Sequence, residues 1–240
     1  MKSLFDYILN TKIAFKLQQM VVRKINPAVI FGEWWTLPMG GQARRTKKVI
    51  EIFDKFNPGL IIETGTFIGS TTPVLGILSG VPVVTIELDK RLALRNQKTF
   101  TRLYPDLSIT QKFGSSEKQI IEVLERISPE VKIFAYLDAH WFDYLPVTDE
   151  LFALANWGGD FIALIDDFEN PYDPNYGFDE YRNGNKIGKH LIPKNLGLRC
   201  FVPSMAANLE GVYRRGIAYV FSKSAVNSQT NLLLNDLLEV

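Results

Sequence analysis

Cysteine is nearly absent: Cys200 is the only one. That excludes an internal disulfide and argues against a cysteine-based zinc site, so a reducing, cytoplasmic setting is expected. No apolar run approaches the roughly 20 residues that a spanning helix needs. The N-terminal residues lack the continuous apolar core of a signal peptide. Charge of one sign is also lacking, since the formal net charge is +1. Nucleic acid is therefore not an expected partner, because phosphate binding normally shows as a basic face. The one dense basic run, Arg44, Arg45, Lys47 and Lys48, reads as the solvated first turn of a helix. There is no internal repeat and no low-complexity segment.

What is present is ordinary globular material, 46% hydrophobic and 22% charged, enough for a large core in one domain of 240 residues. Residues 1–45 read as an N-terminal helical extension and loop, and 46–240 as the main domain. Within residues 3–25, Leu4, Phe5, Ile8, Leu9, Ile13, Phe15, Leu17, Met20 and Val21 mix with Lys12, Lys16, Arg23 and Lys24. Such a basic amphipathic helix has three open placements: a membrane surface, the domain itself, or a second subunit in a homo-oligomer. It should stop at Asn26-Pro27. Trp34 and Trp35 are expected to pack on the domain, the alternative being that they close over a bound cofactor.

From Thr46 to Phe56, Val49, Ile50, Phe53 and Phe56 fall at helical spacing before Asn57-Pro58-Gly59. Short β-rich runs then recur at 60–63, 83–87, 108–112, 133–138, 161–166 and 217–221. Helical stretches at 91–103, 117–127 and 149–156 lie between them. Strands alternating with helices predict an α/β fold, a doubly wound, mostly parallel sheet with helices on both faces. In such a sheet ligands bind beyond the carboxyl ends of the strands. Those ends carry Glu63, Glu87, Asp138 and Asp166, four carboxylates on one rim.

The segment Glu63-Thr64-Gly65-Thr66-Phe67-Ile68-Gly69-Ser70-Thr71 leaves an apolar strand, turns through two glycines and enters a helix with Pro73 in its first turn. It is neither the GxGxxG of a dinucleotide fold nor a phosphate loop with its lysine. It resembles the first motif of the class I S-adenosylmethionine-dependent methyltransferases, an acid followed by a glycine-rich turn. Glu87 then resembles the acid that this family places on the ribose hydroxyls, and Gly114-Ser115-Ser116-Glu117 the adenine-side loop. The resemblance covers roughly residues 46–222. It implies a seven-stranded Rossmann-like methyltransferase sheet and S-adenosylmethionine as cofactor, held by Glu63, Gly65, Thr66, Phe67, Gly69, Ser70, Thr71, Glu87, Ser115, Ser116 and Asp138.

Tyr136-Leu137-Asp138-Ala139-His140 and Leu164-Ile165-Asp166-Asp167 resemble the strand ends of the metal-dependent O-methyltransferases, the group of catechol and macrolide-sugar enzymes. The resemblance implies Asp138, Asp166 and Asp167 as magnesium ligands. Physically, three converging carboxylates repel, and a divalent cation is one way to offset that. The metal-free alternatives are a capping role for Asp166 or Asp167 and a core hydrogen bond for Asp138. Catechol-type enzymes carry a lysine base after the first metal acid, and here His140 stands in that neighbourhood. It is open to three roles: catalytic base, metal ligand, or buried structural histidine. The aromatic, turn-rich stretch 170–178 follows the acids, so Tyr172, Tyr176 and Phe178 are expected to touch substrate, the alternative being a rigid loop with its aromatics in a satellite core. His190 is expected on the surface. The expected reaction is methylation of a hydroxyl on a small-molecule acceptor, a sugar or secondary metabolite. A hydroxylase-like relative on the same fold and a non-catalytic binding module are the alternatives.

Overall fold

The computed structural model describes residues 37–140, 144–181, 184–210 and 213–240. The N-terminal amphipathic stretch, Trp34 and Trp35 lie outside them. Among the described residues no helix is long and apolar enough to cross a membrane.

Helix α1 (Ala43–Phe56) begins three residues before the expected start. It buries Val49, Ile52, Phe53 and Phe56 on one stripe and ends at Asn57, whose left-handed φ of 52° precedes Pro58. The basic run in its first turns is not a solvated face: Arg45 and Lys48 are buried. Lys48 reaches Asp236 at 2.5 Å, and Arg45 reaches into the strand ends.

The rest alternates as its pattern predicts. Strand β1 (Leu60–Thr64) leads to α2 (Thr71–Ser79), β2 (Val83–Glu87), α3 (Lys90–Leu103), β3 (Ile109–Phe113), α4 (Ser116–Leu124), β4 (Ile133–Leu137), α5 (Val147–Trp157) and β5 (Phe161–Asp166). Asp89 caps α3 by accepting from the Arg91 and Leu92 amides. Glycines in left-handed geometry end α2 at Gly80 and α5 at Gly158.

The sheet has eight strands rather than seven, in the order β3-β2-β1-β4-β5-β7-β6-β8. Strands β1 to β5 are parallel. Strands β6 (Arg199–Pro203), β7 (Ile217–Phe221) and β8 (Leu237–Glu239) close one side with antiparallel pairings. Of these, β6 and β8 escaped the sequence pattern. Strand β6 ends on Pro203, and β8 is three residues inside a leucine-rich stretch where periodicity cannot separate strand from helix.

Strands β1, β4 and β5 are buried along their whole length, as doubly covered strands must be. Successive residues point to opposite faces. Leu60, Ile62, Ala135 and Leu137 pack with α4 and α5 through Ile120, Val123, Leu151 and Leu154. Ile61, Phe134 and Tyr136 pack on the other face with α1 and Leu75 of α2. The strand order reverses between β1 and β4, which opens a crevice at their carboxyl ends.

Candidate functional site

A cavity of about 70 Å³ lies at that crevice. One wall is the β1–α2 loop, with Gly65, Thr66, Phe67, Ser70 and Thr71. The other carries Tyr136, Asp138, Asp166 and Asp167 from the ends of β4 and β5, roofed by Leu37, Met39 and Gly40, with Arg45 and Arg215 at the back. A larger groove of about 530 Å³ runs along α4 and α5, lined by residues such as Ile121, Phe152 and Trp157, and none of these acids lines it.

The loop is held from beneath. Glu63 is buried, and its carboxylate accepts from the Thr72 hydroxyl at 2.5 Å and the Thr85 hydroxyl at 2.6 Å. Burial pushes its pKa up to about 7 against the pull of those hydroxyls. Glu87 accepts from the amides of Phe67 at 2.7 Å and Asp89 at 2.8 Å. Both acids thus fix the loop from below, and neither lines the cavity. Gly65 is required twice over: its φ is +78°, and a Cβ there would sit 2.2 Å from the Asp138 carbonyl oxygen. Three non-glycine residues with left-handed φ, Met39, Phe67 and Asp167, also line the cavity. Such conformations cost on the order of 1–3 kcal/mol each and cluster where function holds them.

The acids separate into two groups. Asp166 faces Arg45, whose Nη1 lies 2.6 Å from both carboxylate oxygens, and it also accepts from the Tyr136 hydroxyl at 2.6 Å and the Asp167 amide at 2.8 Å. Arg45, 2% exposed, further donates to the carbonyls of Arg215 and Gly216. Asp138 and Asp167 instead face His140. The His140 Nε2 stands 3.6 Å from Asp138 Oδ1 and 3.7 Å from Asp167 Oδ2. One donor atom from each of the three lies within 4.8 Å of the others. The imidazole is 1% exposed, and neither ring nitrogen has a partner at hydrogen-bonding distance. Burial opposes its protonation, but Asp167, Asp166 and Asp179 outweigh that and raise its pKa. Burial and the two neighbouring carboxylates hold Asp138 well above the usual carboxylate range. Asp167 is also buried, yet His140 and Arg215 bring it below that range. Arg215 donates through Nε to Asp167 Oδ1 at 2.5 Å and through Nη2 to Asp179.

The structure therefore brings together Asp138, Asp167 and His140, and ties Asp166 to a cation of the protein's own. His140 does not line the cavity; it stands behind Asp138 and Asp167. Ser115 caps α4 by position, and Ser116 is buried. The aromatic stretch does not converge on the cavity. Tyr176 is buried, with its hydroxyl donating to the Met205 carbonyl at 3.0 Å. Tyr172 donates to the Glu239 carbonyl at 2.6 Å, and Phe178 lies under Lys186. The stretch is strapped down by its own polar groups, and none of the three rings expected to touch substrate lines the cavity. His190 is exposed, as anticipated. Arg45, Tyr136 and Arg215 were missed, and only an apolar stripe that included Arg45 could have flagged that one.

Another buried acid lies close by. Glu150 of α5 is 0% exposed and its oxygens have no partner at hydrogen-bonding distance. Burial raises its pKa to about 7, partly offset by the Ser116 and Thr64 hydroxyls beside it. A folded pKa above the unfolded value means that the native state holds the proton longer, so Glu150 costs stability as pH rises from about 4.5 to 7. Glu150→Gln should match the wild type near pH 4.5 and exceed it at pH 8, by about 3 kcal/mol at most. Urea unfolding at the two pH values checks this, and an equal effect at both would show that Glu150 is not titrating.

No protein-family model matches the sequence, and no curated protein matches it. Solved structures do. The O-methyltransferase from Bacillus cereus, in complex with SAH, superposes with a TM-score of 0.58 at 14% identity, over 90% of this chain and 96% of that one. A protein assigned as a caffeoyl-CoA O-methyltransferase from Staphylococcus aureus gives 0.57 at 16% identity, over 89% and 99%. This chain has the methyltransferase fold. At these identities the likeness establishes the fold alone.

Proposed function

We propose that this protein transfers a methyl group from S-adenosylmethionine to a hydroxyl of a small-molecule acceptor, a sugar or secondary metabolite, with assistance from a divalent cation. The observation that carries the reading is the juxtaposition, in one cavity, of the Gly65–Thr71 loop with Asp138 and Asp167 backed by an unpartnered His140.

The residues suit the cofactor. Helix α2 begins at Thr71 with no acid in its first turn and no side-chain cap, so its free amides favour a carboxylate such as the amino-acid end of the cofactor. Glu87 pins Phe67 and retains lone pairs for the ribose hydroxyls. Ser115 and Ser116, at the start of α4, are the residues this reading assigns to the adenine side. The sulfonium cofactor supplies an electrophilic methyl group that passes to the acceptor oxygen. A divalent cation at Asp138, His140 and Asp167 would favour the deprotonated hydroxyl. The chain's own contribution is positioning: a strained, glycine-turned loop on one side and rigid strand ends on the other hold the reactants in line. Met39 donates its amide to the Thr71 hydroxyl at 3.1 Å and so closes the roof onto the loop.

Calorimetry with S-adenosylhomocysteine tests the cofactor assignment. Glu87→Ala is expected to weaken binding by about 1.5–3 kcal/mol, the range for hydrogen bonds to a charged group. Unchanged affinity in the folded variant would remove Glu87 from the ribose role. Binding of NAD in place of S-adenosylhomocysteine would end the whole reading.

A further inference from the structure

We propose that Asp138, His140 and Asp167 form a mixed nitrogen and oxygen site for a transition-metal dication of the Zn²⁺, Co²⁺ or Fe²⁺ class, and that Arg45 keeps Asp166 out of it. The inference rests on the cation reading above and specifies which cation and which ligands.

The exclusion of Asp166 follows from its lone pairs. A carboxylate offers about four acceptor positions. On Asp166, Oδ1 takes Arg45 Nη1 and the Asp167 amide, and Oδ2 takes Arg45 Nη1 and the Tyr136 hydroxyl, all within 2.8 Å. Nothing remains for a metal ion. The place is filled by His140, whose nitrogens are buried without a hydrogen bond and whose Nε2 lies 3.6 Å from Asp138 Oδ1 and 3.7 Å from Asp167 Oδ2. A buried imidazole without a hydrogen bond is costly unless something ligates it. Around a cation with bonds of about 2.0–2.1 Å, donor atoms stand roughly 3.0–3.4 Å apart. The two separations from His140 are 3.6 and 3.7 Å, and all three donors lie within 4.8 Å, so side-chain rotation would bring them to that spacing.

The donor set then selects the ion. Magnesium demands hard oxygen ligands, whereas imidazole suits zinc, iron and their neighbours. Asp138 and Asp167 also line the cavity, so the ion's remaining positions face the acceptor.

The test uses the full chain freed of metal by chelator, titrated with Zn²⁺, Co²⁺ and Mg²⁺ against a chromophoric competitor. One Zn²⁺ or Co²⁺ per chain is expected, at least 100-fold tighter than Mg²⁺. His140→Ala should lose about 100-fold or more in Zn²⁺ affinity, since even outer partners of metal ligands are worth 10–100-fold. X-ray absorption at the cobalt edge of the wild type should show one imidazole, a result independent of whether any variant folds. Failure to bind metal, preference for Mg²⁺, or a cobalt shell without imidazole would each overturn the proposal. S-adenosylhomocysteine binding measured in the same samples separates the outcomes. Cofactor binding without such a metal sinks this inference alone, and loss of cofactor binding sinks the methyltransferase reading.

Discussion

His140→Ala is expected to lower methyl transfer by about 10²- to 10⁴-fold while leaving S-adenosylhomocysteine affinity within a few-fold of the wild type. The size follows from what the imidazole can supply. As a base it would be worth that range. As a ligand it holds a cation whose charge on the developing transition state is worth several kcal/mol, about the same factor. The cofactor loop contacts neither ring nitrogen, so binding should survive. Activity of the loaded enzyme on a panel of sugar and phenolic hydroxyls, with calorimetry on the same variant, makes the comparison. Full turnover in a folded variant would remove His140 from the reaction. Failure of the wild type on every hydroxyl would point to the hydroxylase-like or binding-module alternatives.

Arg45→Met is expected to destabilise the fold by about 3–5 kcal/mol, the usual result of removing one partner of a buried ion pair. The cost lies less in the lost attraction than in what stays behind: a buried Asp166 carboxylate beside Tyr136, with no cation of its own. For a domain of this size that corresponds to a fall in Tm of roughly 6–20 °C. Combining Arg45→Met with Asp166→Leu should recover much of the loss, because two apolar groups of similar volume need no counter-charge. Denaturant unfolding of the two single variants and the double variant measures the coupling. A loss below about 1 kcal/mol in Arg45→Met would mean that Asp166 carries no charge to be balanced, and the separation of the acids into two groups would fall with it.

These two expectations concern opposite halves of one cluster. Asp166 is neutralised permanently, by an arginine delivered from α1. Asp167 takes Arg215 on Oδ1, and Asp138 and Asp167 both face His140, whose ring nitrogens make no hydrogen bond. The permanent pair anchors α1 to the strand ends, and with it the roof at Leu37 to Gly40.

The strands, the helices between them and the glycine turn at Gly65 were legible in the sequence because each is a local pattern: apolar runs of five residues, periodic stripes and turn residues at fixed offsets. Glu63, Glu87, Asp138 and Asp166 could be assigned to one rim for the same reason, since a parallel sheet sends every strand's carboxyl end the same way. Tertiary structure alone decided what those acids do. Glu63 took the hydroxyls of Thr72 and Thr85, and Glu87 the amides of Phe67 and Asp89, so that both hold the loop. Asp166 took Arg45 from 121 residues away, and Asp167 took Arg215 from 48 away. The rings of Tyr172 and Tyr176 went to the carbonyls of Glu239 and Met205. Spacing along the chain sets where a side chain starts and which way its element runs. The partner it finds depends on which distant element packs against it, and on whether a buried charge there can be satisfied.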